Sequence, residues 1–158
     1  MNFRISGLEP GVFAHYFKMT DAELAAHRAL RRTVDSRPGF PCRVSLNDLA
    51  PGEDAILLNY EHLPVDSPYR ASHAIYVGAG SREAFDRVDE IPQALATRLL
   101  SVRAFSTAGL MVDADVVEGR ELGAAIAALF RSANVDFIHA HYARAGCFAA
   151  RIDRAGTP

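Results

Sequence analysis

The sequence predicts an α+β fold: a mainly antiparallel sheet of about six or seven strands with two main helices packed on one face. Three observations lead there. Short apolar or alternating segments are separated by Pro, Gly and Asp turn signals, and most neighbouring pairs can close as hairpins. Two segments carry helix signatures. The regular strand-helix-strand alternation of a parallel sheet is missing.

Taken in order, FRIS near the start reads as a short strand. TDAELAAHRALRR reads as a helix, with Thr20 as N-cap, Glu23 at the capping-box spacing, and Arg31 and Arg32 near the negative end of the dipole. RPGFPC is a rigid turn leading into CRVSL, a strand candidate. DAILLNYEH is the most apolar strand, bounded by PGED and Pro64. Leu63 to Ser72, LPVDSPYRAS, has two prolines and no apolar periodicity, which makes it an ordered surface loop of the kind that carries binding groups. HAIYVG is the next strand, and SREAFDRVDEIPQAL follows with one or two helical turns. LLSVRAFSTAGLMVDADVV folds back at STAG. RELGAAIAALFRS is the clearest helix, because Leu122, Ala125, Ile126, Leu129 and Phe130 fall on one face. FIHAHYARAGCFAARID closes the chain as a hairpin.

A chain of 158 residues fits a single domain, 1–158, with one core. Hydrophobic residues make up 49% and charged residues 23%, which points away from disorder. The net charge of -2 lacks the basic excess that binds phosphate backbones, so nucleic acid is not an expected partner. Neither a signal-peptide run nor the roughly 18 apolar residues of a membrane span is present, so a cytoplasmic protein with no membrane partner is expected. Cys42 and Cys147 are too few for a disulfide framework, and they form no CxxC pair.

The last hairpin carries the most chemistry. Phe137, His139 and His141 share one side of a strand and Ile138, Ala140 and Tyr142 the other. Burying Ile138 and Ala140 with Phe148 and Ala150 calls for a pairing such as Ala143 opposite Cys147. The loop is then Arg144, Ala145 and Gly146, with the glycine in the left-handed region. This register places His139, His141, Cys147 and Arg151 on one face, and a loop longer or shorter by one residue moves Cys147 to the other.

Three readings compete for that face. An HxH pair can ligate a metal, but it needs a third ligand such as His73, Glu61 or Cys147, and no metal is assigned. A thiol mechanism uses Cys147 or Cys42 with a histidine as base; its plain competitor is a packed free cysteine. The reading ranked first is a polar pocket joining the Glu61 to His73 loop to this face. It makes His73, His139, His141 and Cys147 the catalytic candidates and Glu61, Tyr69, Arg70, Arg144 and Arg151 the substrate-binding ones. His62 reads as the end of its strand, and Glu61 with Arg70 also fits a surface ion pair. Asp66 belongs to the same loop. Asp113 and Asp115 read as solvated residues of a hairpin.

PGFPCRVSL, LLNYEHLPVDSPYRASHAIYV, MVDADVVEG and FIHAHYARAGCFAARIDRA, in that order, resemble domain of unknown function family 1203, a group of uncharacterised bacterial proteins. The resemblance runs from FRISGL to ARIDRA. It implies no reaction, cofactor or site residue. The functional expectation is therefore the residues' own: a protein that binds or transforms a small anionic metabolite in a pocket lined by His, Arg and Cys. The rival is a non-catalytic interaction protein that forms a homodimer.

Overall fold

The computed structural model describes residues 2–156. Among the described residues nine strands form two antiparallel sheets, so the fold is a β-rich α+β architecture with more strands than the hairpin count predicts. The six-stranded sheet has the order β5-β1-β9-β8-β6-β7, from β1 (Asn2–Ser6), β5 (Asp86–Val88), β6 (Leu99–Phe105), β7 (Met111–Glu118), β8 (Phe137–Tyr142) and β9 (Phe148–Ala155). The three-stranded sheet has the order β2-β3-β4, from β2 (Ala29–Thr33), β3 (Asp54–Leu63) and β4 (Ala71–Gly78). Helices are few: α1 (Asp21–Ala26), α2 (Gln93–Ala96) and α3 (Leu122–Leu129), besides short 3-10 turns. No helix among the described residues is long and apolar enough to cross a membrane.

One face of the large sheet builds the main core. Leu100, Val102, Ala104, Ile138, Ala140, Tyr142 and Ile152 alternate inward and meet Leu122, Ile126, Leu129 and Phe130 of α3 and its C-cap, which is the helical face the periodicity marks out. The small sheet has its own core, where Ile56, Leu58, Ile75 and Val77 pack with Leu24, Phe13 and Val44. At the free edge of the large sheet, β7 leaves Val112 and Val116 exposed, and the charges of Asp113 and Asp115 blunt that edge against strand addition.

Two segments differ from their expected form. The capping box of Thr20 and Glu23 is present, but α1 stops at Ala26 because Arg28 turns left-handed at φ 55°. Ala29 to Thr33 then pair with Asp54 to Leu58 as β2. The good helix formers of AHRALRR yield there to a ladder that buries Ala29. CRVSL is likewise not a strand. Cys42 bridges Tyr76, Pro41 bridges Asp48, and a tight turn returns Leu46 N–H to the Cys42 carbonyl at 3.0 Å.

That turn is held against the end of β1. Leu8 N–H donates to the Arg43 carbonyl at 2.7 Å, and a Cβ on Gly7 would lie 2.0 Å from the Val44 carbonyl oxygen. Only glycine admits so close an approach, and it fixes where the side chain of Arg43 begins.

Candidate functional site: a histidine chamber beside an arginine-floored cleft

The second face of the large sheet is aromatic and imidazole-rich. Across β6, β8 and β9 the register sets Phe105 beside Phe137, Arg103 beside His139 and Ser101 beside His141, with Arg151 and Phe148 following on β9. The small sheet contributes His62 from β3 and His73 from β4. His62 lies in a β-bulge between Glu61 and Leu63, which gives β3 one residue more than β4 at this point. Bulges re-aim side chains, and here the ring of His62 is sandwiched between His73 at 4.7 Å and Phe148 at 4.8 Å, both nearly parallel to it. His139 and His141 approach the same ring at 5.4 and 5.2 Å, and His73 meets His141 edge-on at 5.3 Å. The four rings therefore converge.

Their hydrogen bonding is incomplete. His62 Nδ1 and His139 Nδ1 are 3.4 Å apart, and His141 Nδ1 lies 3.1 Å from the Gly146 carbonyl, to which it donates. His62 Nε2, His141 Nε2 and His73 Nδ1 are buried without a partner. Burial is the main cause that disfavours the imidazolium form. It lowers the pKa of His62 to about 4, of His141 to about 3 and of His139 to about 2, with the Arg103 charge adding to each; His73 is lowered for the same two reasons. The cluster is thus a set of neutral bases at physiological pH.

On the other side of His73 opens a cleft of about 840 Å³, lined among others by Arg43, Arg98, Tyr142, Arg144 and Cys147. Arg43 is 1% exposed. Its Nε donates to the Phe148 carbonyl at 2.7 Å, Nη1 donates to the Pro41 carbonyl, and Nη2 donates to Cys147 Sγ at 3.0 Å. Among the described residues it has no carboxylate within ion-pair distance. Arg98 is instead paired with Asp48 through two contacts of 2.8 and 2.6 Å. Both guanidiniums lie over the Tyr142 ring, Arg43 at 4.9 Å and Arg98 at 5.2 Å from its centre. Its hydroxyl is buried without a partner and, chiefly through burial, has its pKa pushed up to about 12.

The expected register holds in β8 and most of β9. Ile138 faces Ile152, His139 faces Arg151 and Ala140 faces Ala150, and Gly146 is left-handed at φ 75°. It shifts at the end, where His141 pairs with Phe148 and Ala149 is the extra residue of a bulge. This corrects two placements. Phe148 turns to the histidine side, and Cys147 turns to the Tyr142 side, against the main core and Arg43. Cys147 thus stands on the face opposite His139 and His141. Cys42 is buried, and its Sγ accepts from Val44 and Gly78 N–H groups, as a packing cysteine does.

The remaining candidates divide. Arg144 lines the cleft and is exposed. Glu61 and Arg70 form an exposed ion pair at 2.6 Å. Arg151 is held by Asp153 at 2.7 Å and lies over the Phe137 ring, so its charge is already answered. Tyr69 is 40% exposed and meets Phe105 edge-on, and Asp66 is exposed. The loop carrying them fastens to the β6-β7 turn, where Ser67 Oγ donates to the Gly109 carbonyl, and it is not part of the cleft lining. Arg43, Arg98, Tyr142 and the bulged His62 are the members that spacing alone does not single out.

A model of the family described as Protein of unknown function (DUF1203) matches residues 39–154, a range that contains every residue of the chamber and the cleft floor named above. No curated protein and no solved structure matches the chain.

Proposed function

We propose, for this chain, which belongs to the DUF1203 family, that the cleft binds a small anionic metabolite and that His73 serves as the base beside it. The observation that supports this is a surplus of donors in the cleft floor. Arg43 has a buried charge without a carboxylate, Tyr142 has a buried hydroxyl without an acceptor, and Arg144 stands at the rim. A carboxylate or phosphate supplies the acceptor oxygens and the negative charge that these groups lack. Asp48 answers Arg98 and the exposed Glu118 offsets one further charge, so of the charges on Arg43, Arg98 and Arg144 one is left for an anion to answer. A neutral His73 can take a proton and cannot supply one, which makes it a base for any proton removed from the ligand. Two free cysteines fit the reducing cytoplasm, where such a metabolite would be met.

Thermal denaturation with inorganic phosphate and with malonate, against chloride at equal ionic strength, tests the proposal. Wild-type protein should gain a saturable rise in Tm. Arg144→Ala should fold normally and bind about tenfold more weakly, the loss of one charge-assisted hydrogen bond. Equal response to chloride, or no effect of Arg144→Ala, contradicts it.

A further inference from the structure

The geometry points to a divalent metal site, of the kind that takes zinc, formed by His62, His139 and His141. One nitrogen from each lies within 4.8 Å of the other two, and all three side chains are buried. His62 Nδ1 and His139 Nδ1 are 3.4 Å apart, close to the roughly 3.3 Å that a tetrahedral ion with nitrogen ligands at about 2.0–2.1 Å would set.

A second observation is independent of that spacing. His141 Nδ1–H donates to the Gly146 carbonyl, so Nε2 carries the lone pair, and that atom is buried without any donor. An imidazole tethered through one N–H to a backbone carbonyl, with its other nitrogen free, is the arrangement by which ligating histidines are oriented. A packed histidine of the core would have both nitrogens answered.

The donor set also says what kind of site it is. Three neutral imidazoles suit zinc and its neighbours in the first transition row, and three protein ligands leave a fourth position open, where a structural site closes with a further ligand. Cys147 cannot close it, because the Ala149 bulge turns it to the opposite face. Arg103 lies next to His139 on β6. A doubly charged ion beside a guanidinium calls for an anion at its open position, one that the metal could hold and polarise. His73, stacked on His62 and lining the cleft, stands where chamber and cleft meet.

The test uses untagged full-length protein, stripped with a chelator and titrated with zinc and with cobalt(II). One equivalent should bind, zinc should raise Tm by several degrees, and cobalt should give the visible absorption of a tetrahedral nitrogen site. His62→Gln and His141→Gln, checked for folding by near-ultraviolet circular dichroism, should each bind cobalt at least about 100-fold more weakly. His27→Gln, outside the chamber, should change nothing. A folded wild-type protein without the cobalt band or the Tm rise overturns the site, and so does a folded His141→Gln variant that binds cobalt as wild type does. Phosphate binding that depends on Arg144 but comes without the cobalt band refutes the metal alone. A cobalt band without Arg144-dependent phosphate binding refutes the cleft reading alone.

Discussion

Metal-free protein should lose most of its stability between pH 6.5 and pH 5. His62, His139 and His141 have pKa values of about 4, 2 and 3 in the fold, against an ordinary value of about 6.5 in the unfolded chain. The folded values lie below the unfolded one, so above pH 6.5 neither state is protonated and no penalty applies. Below it the unfolded chain takes up protons that the folded chain refuses, and the folded state loses ground until the pH falls to each folded pKa. Each group contributes up to about 1.4 kcal/mol per pH unit, or about 4 kcal/mol per unit for the three. The charges facing them, Arg103 from β6 and Arg151 from β9, act in the same direction, as does neighbouring His73. The slope is half its maximum at pH 6.5 and approaches it only below, so over 1.5 units the loss is about 5 kcal/mol, comparable with the whole stability of a small domain. Urea midpoints at half-unit intervals, in the presence of a chelator, measure it. A slope below that of a single histidine shows that the rings are not buried and neutral.

Arg43→Met should cost about 2–4 kcal/mol and abolish the response to phosphate, because the Phe148 and Pro41 carbonyls lose their donors and a buried carbonyl without a partner costs about 1–3 kcal/mol. The aliphatic stem, by contrast, is replaced. Removing a charge that has no carboxylate works the other way, since its desolvation was never offset by an ion pair. The hydrogen bonds should win, because they tie the turn at Pro41 to the start of β9, which holds Phe148 against His62. Chemical denaturation decides the sign. A variant as stable as wild type means that burying the charge costs as much as the hydrogen bonds return, and that Arg43 is held there against stability for the sake of a ligand.

How far the site can be read in the sequence depends on what its local pattern encodes. The period-2 alternation of FIHAHY places His139 and His141 together, and Gly146 marks the turn. It cannot place Cys147. In CFAAR four successive residues are small or apolar, so shifting the pairing by one leaves the hydrophobic pattern nearly unchanged, and the bulge at Ala149 goes unannounced. His62 is hidden for a related reason, since a residue before a proline-bounded loop reads as a strand end while a bulge turns it inward. Arg43 has no local signal. Its principal acceptor, the Phe148 carbonyl, is 105 residues away and reached through a turn that resembles a strand in sequence. In AHRALRR the intrinsic propensity is helical, and pairing with β3 overrides it. The α+β class, the α3 helix and the β6-β7 and β8-β9 hairpins follow from composition and pattern. The chamber is tertiary, made where two sheets present their bulged strands to each other.

Whether the floor built on Arg43, Tyr142 and Arg144 receives an anion is tested most directly by the side-chain Nε–H correlation spectrum of the arginines in ¹⁵N-labelled protein during titration with inorganic phosphate. The Arg43 and Arg144 resonances, with the backbone amides of residues 142–147, should move together and saturate at one equivalent, while the Arg70 and Arg151 resonances stay in place. Arg43 and Arg144 unmoved in folded protein, or shifts spread evenly over all the arginines, would contradict it.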